Sequence, residues 1–69
     1  MEVDLSTIQF YLLLGNLQIR VKEGKRKIHL GTYQTSTGIV FPSGKLRFAK
    51  AEILHKIADM AKEHLMLNA

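Results

Sequence analysis

The chain predicts a small β-rich α+β domain: an antiparallel sheet of about four strands followed by one C-terminal amphipathic helix (ββββα). Three observations carry this. Apolar residues recur at a period of two in Leu17–Lys22, Lys27–Tyr33 and Lys45–Phe48, the glycines at 15, 24, 31, 38 and 44 punctuate the chain at hairpin intervals, and from about Lys50 the apolar period changes to 3.6. All 69 residues are assigned to a single domain, with residues 1–7 expected to be a flexible N-terminal segment.

Ile8 to Leu14 is a continuous apolar run ended by Gly15 and Asn16. Beyond it Leu17, Ile19 and Val21 alternate with Gln18, Arg20 and Lys22, so this stretch is one long bent strand or two short ones. Glu23-Gly24-Lys25 reads as a hairpin connection into Arg26 to Tyr33, where Ile28 and Leu30 oppose Lys27, His29 and Tyr33. Thr35 to Gly38 is turn chemistry, Ile39 to Phe41 a short strand, and Pro42-Ser43-Gly44 a further turn. Leu46 and Phe48 then alternate with Lys45 and Arg47, which predicts a last short strand with Phe48 in the core. In the helix, Ile53, Leu54, Ile57, Ala58, Ala61 and Leu65 form one stripe, widened by Met60 and Leu67.

A domain of this length buries little apolar surface, and the absence of cysteine excludes disulfides and thiolate metal sites. Oligomerisation is the remaining source of burial. The helix is more apolar than one side of a small sheet requires, so a homodimer is expected through Ile53, Ile57, Met60, His64 and Leu67. The run Phe10 to Leu14 is too short to cross a bilayer, and Glu2 and Asp4 stand where a signal peptide carries basic residues. The expected location is cytoplasmic, nucleoid-associated, or nuclear, not secreted and not in a membrane.

Charge is the functional signal. Residues 20–50 hold eight basic side chains against one acid, Glu23, for a net +7, while the flanks hold two basic and five acidic residues, and the chain as a whole is +4. Cations that alternate with aliphatics stand together on a sheet face, and such a face meets a polyanion. A merely solvated lysine surface would carry interleaved acids, and only Glu23 is there. Tyr33 is in register with Lys27 and His29, and Phe10, Tyr11 and Phe41 lie near strand ends or turns, so rings and charges can share a surface on which unpaired bases stack.

Nothing points to catalysis. No pair among His29, His55 and His64 has helical metal-ligand spacing, and nine residues put His55 and His64 on opposite sides of a helix. The carboxylates do not converge on a histidine or serine, and no phosphate-binding glycine loop appears. We expect no enzyme, no metal and no cofactor.

The order of motifs resembles the single-stranded-DNA-binding domain of the positive cofactor 4 family of transcriptional coactivators. Two places carry the match: Ile28-His29-Leu30-Gly31-Thr32-Tyr33, where the family has an aliphatic-Asp-Ile-Arg-Glu-aromatic strand, and Gly44-Lys45-Leu46-Arg47-Phe48, where it has Lys-Gly-Ile-Ser-Leu before its helix. The likeness covers about Phe10 to Leu65 and rests on pattern more than identity. His29 replaces the family's acid, Gly31 its arginine, and Ala49 a helix-capping serine. The resemblance implies a curved sheet, helices paired across a two-fold axis, and nucleic acid bound by Arg20, Lys22, Lys25, Arg26, Lys27, Tyr33, Lys45 and Arg47. The expected function is low-specificity binding of single-stranded DNA or RNA in transcription, replication or recombination. Two alternatives are a three-stranded double-stranded-DNA binder like the arm-binding domains of phage integrases, and a small regulator that binds a protein such as RNA polymerase.

Overall fold

The computed structural model describes residues 4–67. Strands β1 (Ile8–Leu13), β2 (Asn16–Glu23), β3 (Arg26–Gln34) and β4 (Ile39–Pro42) form one open antiparallel sheet in sequence order, and helix α1 (Ala51–Leu67) follows. The four-stranded sheet and the terminal helix are as expected from the sequence, but the fourth strand comes from residues 8–23 being two strands rather than from Gly44–Phe48. Of the segment expected to be flexible, residues 1–3 lie outside the described residues. Within residues 4–7 the Asp4 carboxylate accepts from the Ser6 amide and caps a 3-10 turn over Leu5–Thr7.

Between β1 and β2 the connection is two residues long, Leu14 and Gly15, both with positive φ (52° and 84°). That is the turn whose twist matches a hairpin, and it favours Asn-Gly. Leucine is strained in this conformation, and Leu14 is 94% exposed, so no packing offsets the strain. Leu14→Asn should therefore raise stability by about 1 kcal/mol, seen as a melting temperature roughly 4 to 8 °C higher. An unchanged or lower melting temperature would mean that Leu14 is packed. The turn is fastened from the side, because the Thr35 hydroxyl donates to the Gly15 carbonyl (2.6 Å) and the Thr35 amide to Asn16 Oδ1 (3.3 Å).

One face of the sheet is covered. Leu17, Ile19 and Val21 of β2 point into it at strand period, with Leu30 and Tyr33 of β3 beside them. Ile57 and Ala61 of α1 and Leu46, from a 3-10 turn over Gly44–Phe48, close the core from above. Partly buried Leu5, Ile8, Phe10, Ile28, Val40, Ile53, Leu54, Ala58 and Leu65 pack round it.

Two expectations fail here, each for a local reason. The pairing of β2 with β3 runs Val21 to Ile28 and Arg20 to His29, but then Ile19 to Gly31, so Leu30 is an extra residue. This β-bulge places Leu30 and Gly31 both in the interior and reverses the in-out parity beyond them. Tyr33, expected on the face of Lys27 and His29, is turned into the core with 3% of its surface exposed. The segment Gly44–Phe48, expected as a strand, is a 3-10 turn. A three-residue repeat buries Leu46 alone and leaves Phe48 83% exposed, where alternation had placed it inside. The second of the two matches that carry the family resemblance is thus a turn.

Candidate nucleic-acid interface

The uncovered face of the sheet follows from register alone. On β1 it carries Gln9, Tyr11 and Leu13, on β2 Asn16, Gln18, Arg20 and Lys22, on β3 Lys27, His29, Thr32 and Gln34, and on β4 Ile39 and Phe41. No acid stands among these residues. The acids of the helix, Glu52, Asp59 and Glu63, belong to the element over the other face, and Glu23 is ion-paired to Lys45 at 2.8 Å.

Arg20 and Lys27 gather round one ring, and Lys22 stands beside them on the same face. The Arg20 guanidinium lies 4.7 Å from the Tyr11 centroid and the Lys27 ammonium 5.0 Å from it. Lys27 also donates to the Tyr11 hydroxyl at 2.7 Å. That hydrogen bond, against the opposing effect of desolvation and with the positive charge of Lys27, Arg20 and Lys22, holds the phenol pKa below its usual value. Lys22 and Lys27 are direct cross-strand partners. Like charges opposed in this way destabilise a sheet, a cost that an anion laid between them would remove.

A single cross-strand row runs Tyr11, Gln18, Thr32, Phe41. Its ends are two partly exposed rings, three strand spacings or about 14 Å apart. Its middle is polar, with the Thr32 hydroxyl 3.3 Å from Gln18 Oε1. Rings at both ends and hydrogen-bonding groups between them suit a ligand with flat apolar faces and polar edges.

The eight residues expected to bind nucleic acid are therefore divided. Arg20, Lys22 and Lys27 come together on the open face. Lys25 is in the β2–β3 turn, and Arg26 stands opposite Glu23, whose parity is that of the covered face. Lys45 is held by Glu23, and Arg47 rides on the same 3-10 turn with its guanidinium 5.9 Å from the exposed Phe48 ring. Tyr33 is withdrawn into the core, and Tyr11 and Phe41 hold the ring positions instead. The sequence shows both only as rings near strand ends or turns, because their placement depends on the β1–β2 turn and on the bulge.

The expected dimer seam is also altered. Ile57 is 0% exposed within one chain, Ile53 packs against the core, and the His64 ring meets Phe10 at 5.5 Å. Three of the five seam residues thus cover the chain's own sheet, leaving Met60 partly and Leu67 fully exposed. Among the described residues no three His, Asp or Glu side chains are grouped to hold a metal ion, and no helix is long and apolar enough to cross a membrane. No protein family, curated protein or solved structure matches the chain.

Proposed function

We propose that the open sheet face binds single-stranded nucleic acid, DNA or RNA, without catalysis and with little sequence preference. One observation carries this reading: Arg20 and Lys27 are collected round the Tyr11 ring, with Lys22 across from Lys27, on a face that contains no acid. Arg20, Lys22 and Lys27 neutralise phosphates, and the unpaired bases stack on Tyr11 and Phe41. Duplex DNA has its bases already stacked and offers such rings nothing. The protein acts by occupying the strand, in transcription, replication or recombination, inside the cytoplasm or nucleus. This is also the function implied by the resemblance to the positive cofactor 4 family.

The test is the affinity for a labelled oligonucleotide of about twenty nucleotides, single-stranded and duplex, at several salt concentrations. Single-strand binding should be the stronger, and its log affinity should fall against log salt with a slope of about 2, at about 0.7 for each of three phosphate contacts. A flat salt response or a preference for duplex would overturn the proposal.

A further inference from the structure

Strand β1 is an edge, paired on one side with β2 and on the other with no strand among the described residues. Natural edges are blunted by charge, proline or a bulge. The opposite edge is blunted: β4 is four residues long and ends in Pro42, which has no amide hydrogen to donate. From Ile8 to Leu14, by contrast, there is no charged residue and no proline, and the pairing of β1 with β2 runs without a bulge.

The direction of the free backbone groups follows from the two-residue turn. In such a hairpin the flanking pair, here Leu13 and Asn16, exchanges both hydrogen bonds. Alternation then turns the backbone groups of Leu13, Tyr11 and Gln9 towards β2 and those of Leu12, Phe10 and Ile8 outward. The rim of this edge is apolar as well. Leu12 is 68% exposed, and α1, which reaches β1 where His64 meets Phe10, ends in exposed Met66 and Leu67.

We propose that two copies of this chain pair antiparallel through their β1 edges, joining two four-stranded sheets into one of eight strands. With the two-fold axis at Phe10, Ile8 of each copy stands opposite Leu12 of the other, and the outward amides and carbonyls satisfy one another. The strand's own sequence selects a second copy as the occupant, since antiparallel pairing about Phe10 sets apolar Ile8 against apolar Leu12, and charge permits it. A chain of net +4 repels its like, and a neutral strand lets two copies meet without opposing cations. The dimer would set the two open faces side by side, with a Tyr11 flanking the seam on each half, so that one long basic surface replaces two short ones.

The experiment is made on the whole chain without nucleic acid, so that its outcome is independent of what the open face binds. Sedimentation from about 1 to 100 µM should show a monomer passing into a dimer, and amide exchange at Phe10 and Leu12 should slow as the dimer forms. Leu12→Lys, at an exposed position, should raise the dimer dissociation constant at least about tenfold while leaving the circular dichroism spectrum unchanged. A monomer throughout that range would overturn the proposal. So would a dimer whose Phe10 and Leu12 amides still exchange freely, or one that Leu12→Lys leaves intact; the exchange measurement stands even if that variant misfolds.

Discussion

Gly31→Ala should cost about 3 kcal/mol and leave much of the protein unfolded. Gly31 sits at φ 141°, outside the wells open to residues with a side chain, and a Cβ there would stand 2.5 Å from the Phe41 carbonyl oxygen and 3.1 Å from the Pro42 Cα. Both neighbours are backbone, so neither can rotate away. Either β4 separates from β3 or the bulge at Leu30 must be undone, and undoing it would turn Tyr33 out of the core. A domain of this size has only about 3 to 10 kcal/mol of stability, so the expected loss is a large part of it. Gly15→Ala is the control. Gly15 also has positive φ (84°), but a Cβ there meets nothing within 4 Å, so its cost should be about 1 kcal/mol. Urea denaturation of the two variants measures the difference. If Gly31→Ala is no worse than Gly15→Ala, the close approach of β4 to β3 at the bulge is wrong.

That bulge also marks where sequence periodicity stops being readable. The strands are legible because Leu17, Ile19 and Val21 alternate with polar residues, and the helix because Ile53, Leu54, Ile57, Ala58, Ala61 and Leu65 keep a 3.6 period. All of these residues lie in or against the core. A period of two holds only while pairing is regular, and one extra residue moves every later side chain to the other face. The sequence from Lys27 to Tyr33 contains Gly31 but no sign of which way the extra residue is accommodated. Regular alternation therefore puts Tyr33 among the cations, whereas the ring that stands there, Tyr11, lies in an apolar run without alternation.

The segment from Gly44 to Phe48 fails differently. Two apolar residues two apart fit a strand, and they also fit a 3-10 turn that buries only the first of them. Five residues are too few for periodicity to choose. The helix shows a third limit. Its stripe was correctly read as apolar, but a stripe does not say whether its own sheet or a second copy covers it. Here the 0% exposure of Ile57 sets that residue against the chain's own sheet, while Met66 and Leu67 at the end of the helix stay exposed.

The charge on the open face should be separable from the stability of the fold, and the two should change in opposite directions. Replacing Arg20 and Lys27 together by glutamate removes two phosphate contacts and sets two carboxylates beside the strand, which should weaken single-strand binding at least about 100-fold, equally for all base sequences. Stability should hold or rise by up to about 0.5 kcal/mol, because Lys22 would then face a glutamate across β2 and β3 where it now faces Lys27. Tyr11→Ala should cost about 1 to 3 kcal/mol of binding at little cost in melting temperature, since this ring lies outside the buried core. Tyr33→Ala, which opens a cavity in that core, should do the reverse at first: it lowers the melting temperature, while affinity measured well below that temperature changes little. Oligonucleotide titration and thermal unfolding of the three variants distinguish the roles. Binding that survives the double reversal would show that Arg20 and Lys27 only keep the face soluble. Binding lost in Tyr33→Ala but kept in Tyr11→Ala would put the stacking ring back at Tyr33 and reverse the parity assigned to the end of β3.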